Sequence, residues 1–379
     1  MSYLDYKVAQ TPTGFRKILY LNWPLVFLIM AVAGIGFLML VSVAGGNVET
    51  WAEPQMYRFA IGMAIMIALA FVPMWFWRGI SVAAYVCCFV LLVGVEMFGE
   101  IGMGAQRWID IGPIRLQPSE LMKIALVLLL AAYYDWLDIR RVSRPLWVII
   151  PVILILAPTA LVLIQPDLGT SIMLVAGGGI VMFAAGVSLW YFGVVIGMAV
   201  GMVFAIFESR GTDWQLLKDY QFRRIDTFLD PTADPLGAGC NIIQSQIALG
   251  SGSWSGRGFM QGTQSRLNFL PEKHTDFIFT VLAEEFGFVG AMSLLALYTL
   301  IVGFCLYSAL TNRDRFASLI TIGISGTFFL YFAINMATVM GLLPAKGSPL
   351  PLVSYGGTSL MILMLGFGLV QSAHVHRPR

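Results

Sequence analysis

With 379 residues, 58% of them hydrophobic and only 12% charged, and a mean hydropathy of +0.80, the chain is too apolar for an ordinary globular domain, whose apolar share is about 45–50%. Composition therefore excludes a water-soluble enzyme and predicts a membrane protein, because removing the apolar runs leaves no segment of domain size. The net charge of +2 says little by itself; what matters is where Lys and Arg fall between the spans, and their pattern calls for no nucleic acid.

The chain opens on a polar tract (Tyr3, Asp5, Lys7, Gln10, Arg16, Lys17) and enters an apolar run that continues well beyond a signal-peptide core, with no small-residue cleavage site. A retained first span is expected. A span needs about 20 mostly apolar residues to cross roughly 30 Å of hydrocarbon. That ruler gives ten segments, at about 18–43, 55–73, 79–99, 119–137, 145–164, 168–186, 188–209, 276–310, 315–343 and 352–373. The eighth is long enough to be broken or to extend beyond the bilayer. Only Gln165, Pro166 and Asp167 separate the fifth from the sixth. The expected fold class is an all-α polytopic membrane protein of about ten transmembrane helices, a single membrane domain over 1–379 with one large ordered loop outside the cytoplasm at 210–275.

Ten spans place both termini on one side, and the cations choose which. On that side fall Lys7, Arg16, Lys17, Arg78, Arg140, Arg141, Arg144, Arg313, Arg315, Arg377 and Arg379, whereas the opposite short loops carry only Arg58, Arg107, Arg115 and Lys346. The positive-inside rule makes both termini cytoplasmic. The 210–275 loop then lies outside. It is far longer than the about 12–15 residues at which a loop already suggests function or disorder. It holds a helix-compatible stretch at 241–248, a glycine-rich GSGSWSGRG turn region and several aromatics, which argue for an ordered re-entrant or surface-lying structure. Of the four cysteines, Cys87, Cys88 and Cys305 lie in apolar segments and Cys240 in the loop; neither a metal spacing nor a disulfide framework results. No internal repeat is visible.

Polar residues concentrate in a few places. In GAQRWIDIGPIRLQPSELMKIA (104–125), Pro118 sits at a span mouth, Ser119 is placed to cap it, and Glu120 and Lys123 share a helix face in the outer leaflet. A plain structural reading is a Glu–Lys pair that locks two helices. A functional reading adds Arg107, Arg115 and Arg58 to make a cationic pocket suited to a phosphate-bearing ligand. Trp108 fits an interfacial tryptophan equally well, and Asp167 in QPDLGT fits an N-cap. In QGTQSRLNFLPEKHTDFIFTVLAEEF (261–286), a polar loop with Arg266, Glu272, Lys273, His274 and Asp276 turns directly into an apolar helix. Asp276 is placed to cap that helix, as a carboxylate at a helix start should, or to act as a base. Glu284 and Glu285 follow on different faces, so at least one must face the protein interior. Last comes NMATVMGLLPAKGSPLPLVSYGGTS (335–359), a proline-rigidified outer loop with Lys346 at its tip, either a structural turn or one wall of the same pocket.

RWIDIGPIRLQPSELMK, QPDLGT, FLDPTADPLGAGCNIIQSQIALGSG, GTQSRLNFLPEKHTDFIFTVLAEEFG and PLPLVSYGGTSLMILMLGFG closely resemble the SEDS family (shape, elongation, division and sporulation) of bacterial inner-membrane proteins, and its rod-elongation branch more than its division branch. The resemblance covers nearly the whole chain. It implies a ten-span peptidoglycan glycosyltransferase that polymerises lipid II beside an elongation-type class B penicillin-binding protein transpeptidase. It further implies that Asp276 is the residue required for activity and that Arg107, Trp108, Arg115, Glu120, Lys123 and Asp167 occupy functionally important positions. One departure is the AKGS stretch with Lys346 before PLPLVSYGG, where family members are apolar; Lys346 either contacts phosphate or snorkels.

The expected chemistry is a single inverting displacement. Asp276 takes the proton from the acceptor's 4-hydroxyl as that oxygen attacks the α-linked donor sugar, and the leaving diphosphate is stabilised by Arg107, Arg115 or Lys123, or by a divalent cation such as Mg or Mn. No cofactor is otherwise expected. The competing classes are a lipid II transporter, against which stand the absent repeats and the outer placement of the polar residues, and a noncatalytic scaffold for wall synthesis.

Overall fold

The computed structural model describes residues 14–98, 100–102, 105–111, 114–212, 214–216, 219–230, 238–263, 273–343 and 349–377. The expectations placed on Lys346, Arg266, Glu272 and the first polar tract up to Gln10 fall outside these residues.

Among the described residues ten long helices stand where the apolar runs predicted them: α1 (Trp23–Val43), α2 (Ala52–Ala70), α3 (Met74–Phe98), α4 (Pro118–Trp136), α5 (Pro145–Ile164), α6 (Leu168–Ala185), α7 (Leu189–Glu208), and, beyond the short α8 (Asp219–Leu229) and α9 (Ala238–Ser251), α10 (Ile278–Leu310), α11 (Arg315–Val339) and α12 (Gly357–Val375). Among the described residues eight helices are long and apolar enough to cross a membrane. The two long helices outside that set, α2 and α4, carry Glu53 and Arg58, and Glu120, Lys123 and Asp135. They are the spans the candidate site needs.

Local signals explain the starts. Asn22 caps α1 by accepting from the Leu25 amide, Asp314 caps α11 through Phe316, and proline occupies the first turn of α1, α4 and α5. Proline at that position removes an amide that would lack a partner anyway. Ser119 is not a cap: Gln117 holds the N-cap position of α4, and Pro118 follows it. The stretch from 100 to 116, expected as loop, forms a small antiparallel sheet of β1 (Glu100–Gly102), β2 (Ala105–Ile111) and β3 (Ile114–Leu116), with Trp108 opposite Glu100 and Arg115 opposite Asp110.

The centre of the bundle is α4, α6, α11 and α12, with α2 packed along α12, α3 along α4 and α1 along α10. α7 differs. None of its side chains is buried among the described residues, and Leu189, Trp190 and Phe204 are about two-thirds exposed or more. A helix apolar all round with so little cover needs lipid about it.

α10 is broken at Gly287 (φ 65°, ψ −160°). The break frees backbone groups, and the turn after α9 takes them. Arg257 and Gly258 amides donate to the Glu284 and Glu285 carbonyls (3.0 and 2.9 Å), while the Phe288 and Val289 amides donate to the Ser253 and Trp254 carbonyls (2.9 and 3.2 Å). The buried glutamates anchor the same segment. Glu284 accepts from the amide and hydroxyl of Thr263 (2.7 and 3.0 Å), and Glu285 accepts from the Ser42 hydroxyl. Both side chains therefore face protein, in structural roles.

Candidate functional site

At the bundle end where α10 begins, the starts of α2, α4, α6 and α12 and the end of α11 meet through side-chain contacts. The opposite end carries the cationic belt: Arg78 bridges Asp135 (3.1 Å) and Asp314 (3.0 Å), and Lys17 meets His376 at 2.8 Å, so the two described chain ends share that side.

One group lies between α4, α6 and α11. Lys123 and Glu120, both buried, are paired at 2.5 Å. Lys123 also bonds the Tyr331 hydroxyl and sits 4.3 Å from the centre of that ring, and the hydroxyl donates to the other Glu120 oxygen. The three side chains close a ring of hydrogen bonds, with the Met173 sulfur 3.8 Å from the ammonium. Breaking a buried pair by removing one partner costs about 3–5 kcal/mol, whereas replacing both partners by apolar groups is often neutral. Lys123→Met is accordingly expected to lower thermal stability in detergent by that amount, and adding Glu120→Leu to restore most of it. A single variant that melts with the parent would show the pair to be solvated.

Arg107, carried on β2, reaches the α5–α6 corner. Its guanidinium donates to the Gln165 and Pro166 carbonyls (3.1 and 2.6 Å) and lies 3.8 Å from Asp167. Asp167 caps α6, accepting from the amide and hydroxyl of Thr170 (3.1 and 2.9 Å). Arg107 thus satisfies end-of-helix carbonyls while standing beside the carboxylate. Trp108 is half-buried and Arg115 exposed.

The third group surrounds Asp276. The helix was expected to open at this residue, but α10 starts at Ile278 and Phe277 holds the N-cap position, so Asp276 stands ahead of the cap, half-buried in the turn Lys273–Phe277. Asn335 of α11 donates to its carbonyl (3.0 Å). His274 stacks on Trp51 with centroids 4.2 Å apart, and Tyr355 lies edge-on to the same Trp51 (4.8 Å). Arg58 of α2 covers the Tyr355 ring at 4.9 Å. Its Nη1 is buried and makes no hydrogen bond among the described residues. Beside it Gly357 begins α12, where Gly356 at the N-cap has no side chain to engage the first amides. Burial lowers the pKa of Lys273 below the ordinary lysine value.

Tyr331 and Asn335 join the groups. They lie four residues, hence about 6 Å, apart on one face of α11, one touching Lys123 and Glu120, the other Asp276. Tyr331 and Ser359 both line two small cavities, of about 30 and 20 Å³, one bounded by Glu120 and Lys123 and the other by Ser354 and Gly356. Each holds room for a single water. Sequence reasoning missed Tyr331, Trp51 and the role of Asn335; two polar residues one turn apart inside the apolar α11 were the available signal. Among the described residues no three His, Cys, Asp or Glu side chains cluster as a metal set.

The sequence model of the FtsW/RodA/SpoVE family, described as cell cycle proteins, matches residues 22–379. The chain is 43% identical over 360 residues to the peptidoglycan glycosyltransferase MrdB of Escherichia coli K12, covering 94% of each chain. It is 33% identical to the probable peptidoglycan glycosyltransferase FtsW of Pseudoalteromonas translucida, covering 98% of this chain and 93% of that one. Among solved structures it superposes on the rod shape determining protein RodA of Thermus thermophilus with a TM-score of 0.71 at 27% identity, covering 95% of this chain and 98% of that one. A chain of a peptidoglycan synthase complex that couples polymerization and crosslinking matches with a TM-score of 0.76 at 31% identity, covering 93% and 97%. With one family model spanning nearly its whole length and these relatives aligned end to end, the chain belongs to the FtsW/RodA/SpoVE family of membrane proteins, the SEDS family its motifs resemble.

Proposed function

We propose that the chain is a peptidoglycan glycosyltransferase of the elongation type, polymerising lipid II into β-1,4 glycan at the outer face of the bacterial inner membrane, with both termini cytoplasmic and a class B penicillin-binding protein as partner. The observation that carries the reading is the placement of Asp276: half-buried, ahead of its helix's cap, and joined through Asn335 and Tyr331 of α11 to the buried Glu120–Lys123 pair. A carboxylate so placed takes the acceptor hydroxyl's proton as the oxygen attacks the donor sugar from the face opposite the leaving diphosphate.

The cations divide by what else they bond. Lys123 is closed into its ring with Glu120 and Tyr331, and Arg107 spends most of its fork on carbonyls, so these residues, with Asp167 and Trp108, hold the walls. The buried Nη1 of Arg58, which makes no hydrogen bond among the described residues, lies next to the opening amides of α12. A buried guanidinium donor beside a helix N-terminus suits a phosphate, and Arg58 is the group we assign to the diphosphate, with the exposed Arg115 as a second cation and Lys346, outside the described residues, as a third.

Purified protein incubated with lipid II in detergent is expected to yield glycan polymer. A transporter or a scaffold would leave the monomer intact, and an unchanged monomer pool in the presence of the partner would overturn the reading.

A further inference from the structure

Three successive carbonyls leading into α10 are each bonded to a different donor. His274 accepts from the Tyr355 amide (2.9 Å), Thr275 from the Ser354 hydroxyl, and Asp276 from the Asn335 amide group (3.0 Å). These donors are themselves fixed. Asn335 is buried on α11, and Ser354, also buried, accepts from the Leu350 amide (2.8 Å). Behind Ser354 stands Gln55 of α2, only 1% exposed, which donates to the Ser354 carbonyl (3.1 Å) and accepts from the Gly356 amide (3.4 Å). The turn that carries Ser354 is braced from other helices as well: Tyr298 donates to the Pro351 carbonyl (2.6 Å), and Gly36 of α1 lies so close that a Cβ there would come within 2.7 Å of the Val353 backbone.

We infer that Asn335 and Ser354, supported by Gln55, are positioning residues for the reaction: they fix the backbone on both sides of the Asp276 Cα and so set the direction of its carboxylate. The inference rests on the reading of Asp276 as the base. A turn lacks the repeating hydrogen bonds of a helix, so its conformation is held only by what it is tied to. Buried carbonyls seek a partner in any fold. Here three in a row find theirs on two separate elements, which leaves the segment little freedom to rotate. Catalysis by a base needs that rigidity, since a misplacement of about 1 Å can cost roughly a hundredfold in rate.

The test is steady-state polymerisation by the full-length protein, in complex with its partner, comparing the parent with Asn335→Asp, Ser354→Ala, Ser354→Thr and Gln55→Ala, alongside lipid II binding and thermal melting. Asn335→Asp keeps the side-chain shape and, when ionised, replaces the donor with an acceptor, so it tests the bond without opening a cavity, and the assay is run at a pH well above the carboxylate range. The expected result is a 10- to 100-fold fall in kcat for Asn335→Asp and Ser354→Ala, a smaller fall for Gln55→Ala, recovery in Ser354→Thr, and KM and lipid II Kd within about threefold of the parent. Parental kcat in both Asn335→Asp and Ser354→Ala, or losses that only track weakened binding or lowered melting, would overturn the positioning role. Asp276→Asn, run in parallel, separates the two claims: its full activity would remove the base itself, whereas its inactivity beside fully active clamp variants removes the clamp alone.

Discussion

Asp276→Asn is expected to reduce glycan polymerisation from lipid II by about 100- to 10,000-fold, the range general base catalysis contributes, while the protein elutes, melts and binds its partner as the parent does. Asparagine matches the shape of aspartate and leaves the backbone untouched. The carbonyls of residues 274, 275 and 276, which carry the hydrogen bonds to Tyr355, Ser354 and Asn335, are therefore unchanged. What the substitution removes is the capacity to accept a proton. Because Phe277, and not residue 276, holds the N-cap position, little helix stability should be lost with the charge. The measurement is glycan chain formation resolved on a gel, with thermal melting as the check on folding. Long chains made by the purified variant at the parental rate would end the assignment.

The second large effect is on folding. Gly252, Gly256 and Gly287 meet where the turn after α9 enters the break in α10. A Cβ on Gly287 would lie 2.3 Å from the Gly256 nitrogen and 2.7 Å from the Trp254 oxygen. One on Gly256 (φ +79°) would come within 2.1 Å of the Glu285 oxygen, and one on Gly252 within 2.0 Å of the Ala283 oxygen. These contacts are backbone against backbone, so no side chain can swing away to relieve them. The left-handed φ of Gly256 and Gly287 adds strain for any other residue. Where lipid covers the chain, an unpaired backbone group costs several kcal/mol, since lipid offers no replacement partner. Gly287→Ala and Gly256→Ala are therefore each expected to destabilise by roughly 3 kcal/mol or more, read as a lowered melting temperature and as new trypsin cleavage at Arg257. Gly193→Ala is the control: nothing lies within 4 Å of its Cβ position, and its melting should match the parent. A Gly287→Ala protein with parental stability would mean that α10 can run through unbroken.

The polar end of the molecule was only partly legible in the chain. Asp276, Glu120, Lys123 and Arg107 stood out as charges beside apolar runs, where charge is costly and so meaningful. Tyr331 did not, because a tyrosine in a span is ordinary; its bond to Glu120 links residues 211 apart. Ser354 and Asn335 reach the Asp276 segment across 79 and 59 residues. The sheet escaped notice because β1 and β3 have three residues each and β2, AQRWIDI, lacks strict apolar–polar alternation. Gly287 looks in the sequence like Gly290 or Gly303, and nothing local reveals that it alone of the three takes a positive φ.

Sequence alone determined the crossings: a chain in lipid must close its backbone hydrogen bonds within each segment, so any run of about 20 apolar residues has one stable answer, the helix, and reveals it locally. The family motifs were local too, each carried within one short stretch. Only the tertiary structure decided which carbonyl meets which donor around Asp276, where α10 breaks, and which buried charges are closed in a ring. Those choices are made by side chains that become neighbours only once the helices pack, and helical periodicity says nothing about partners beyond the next turn.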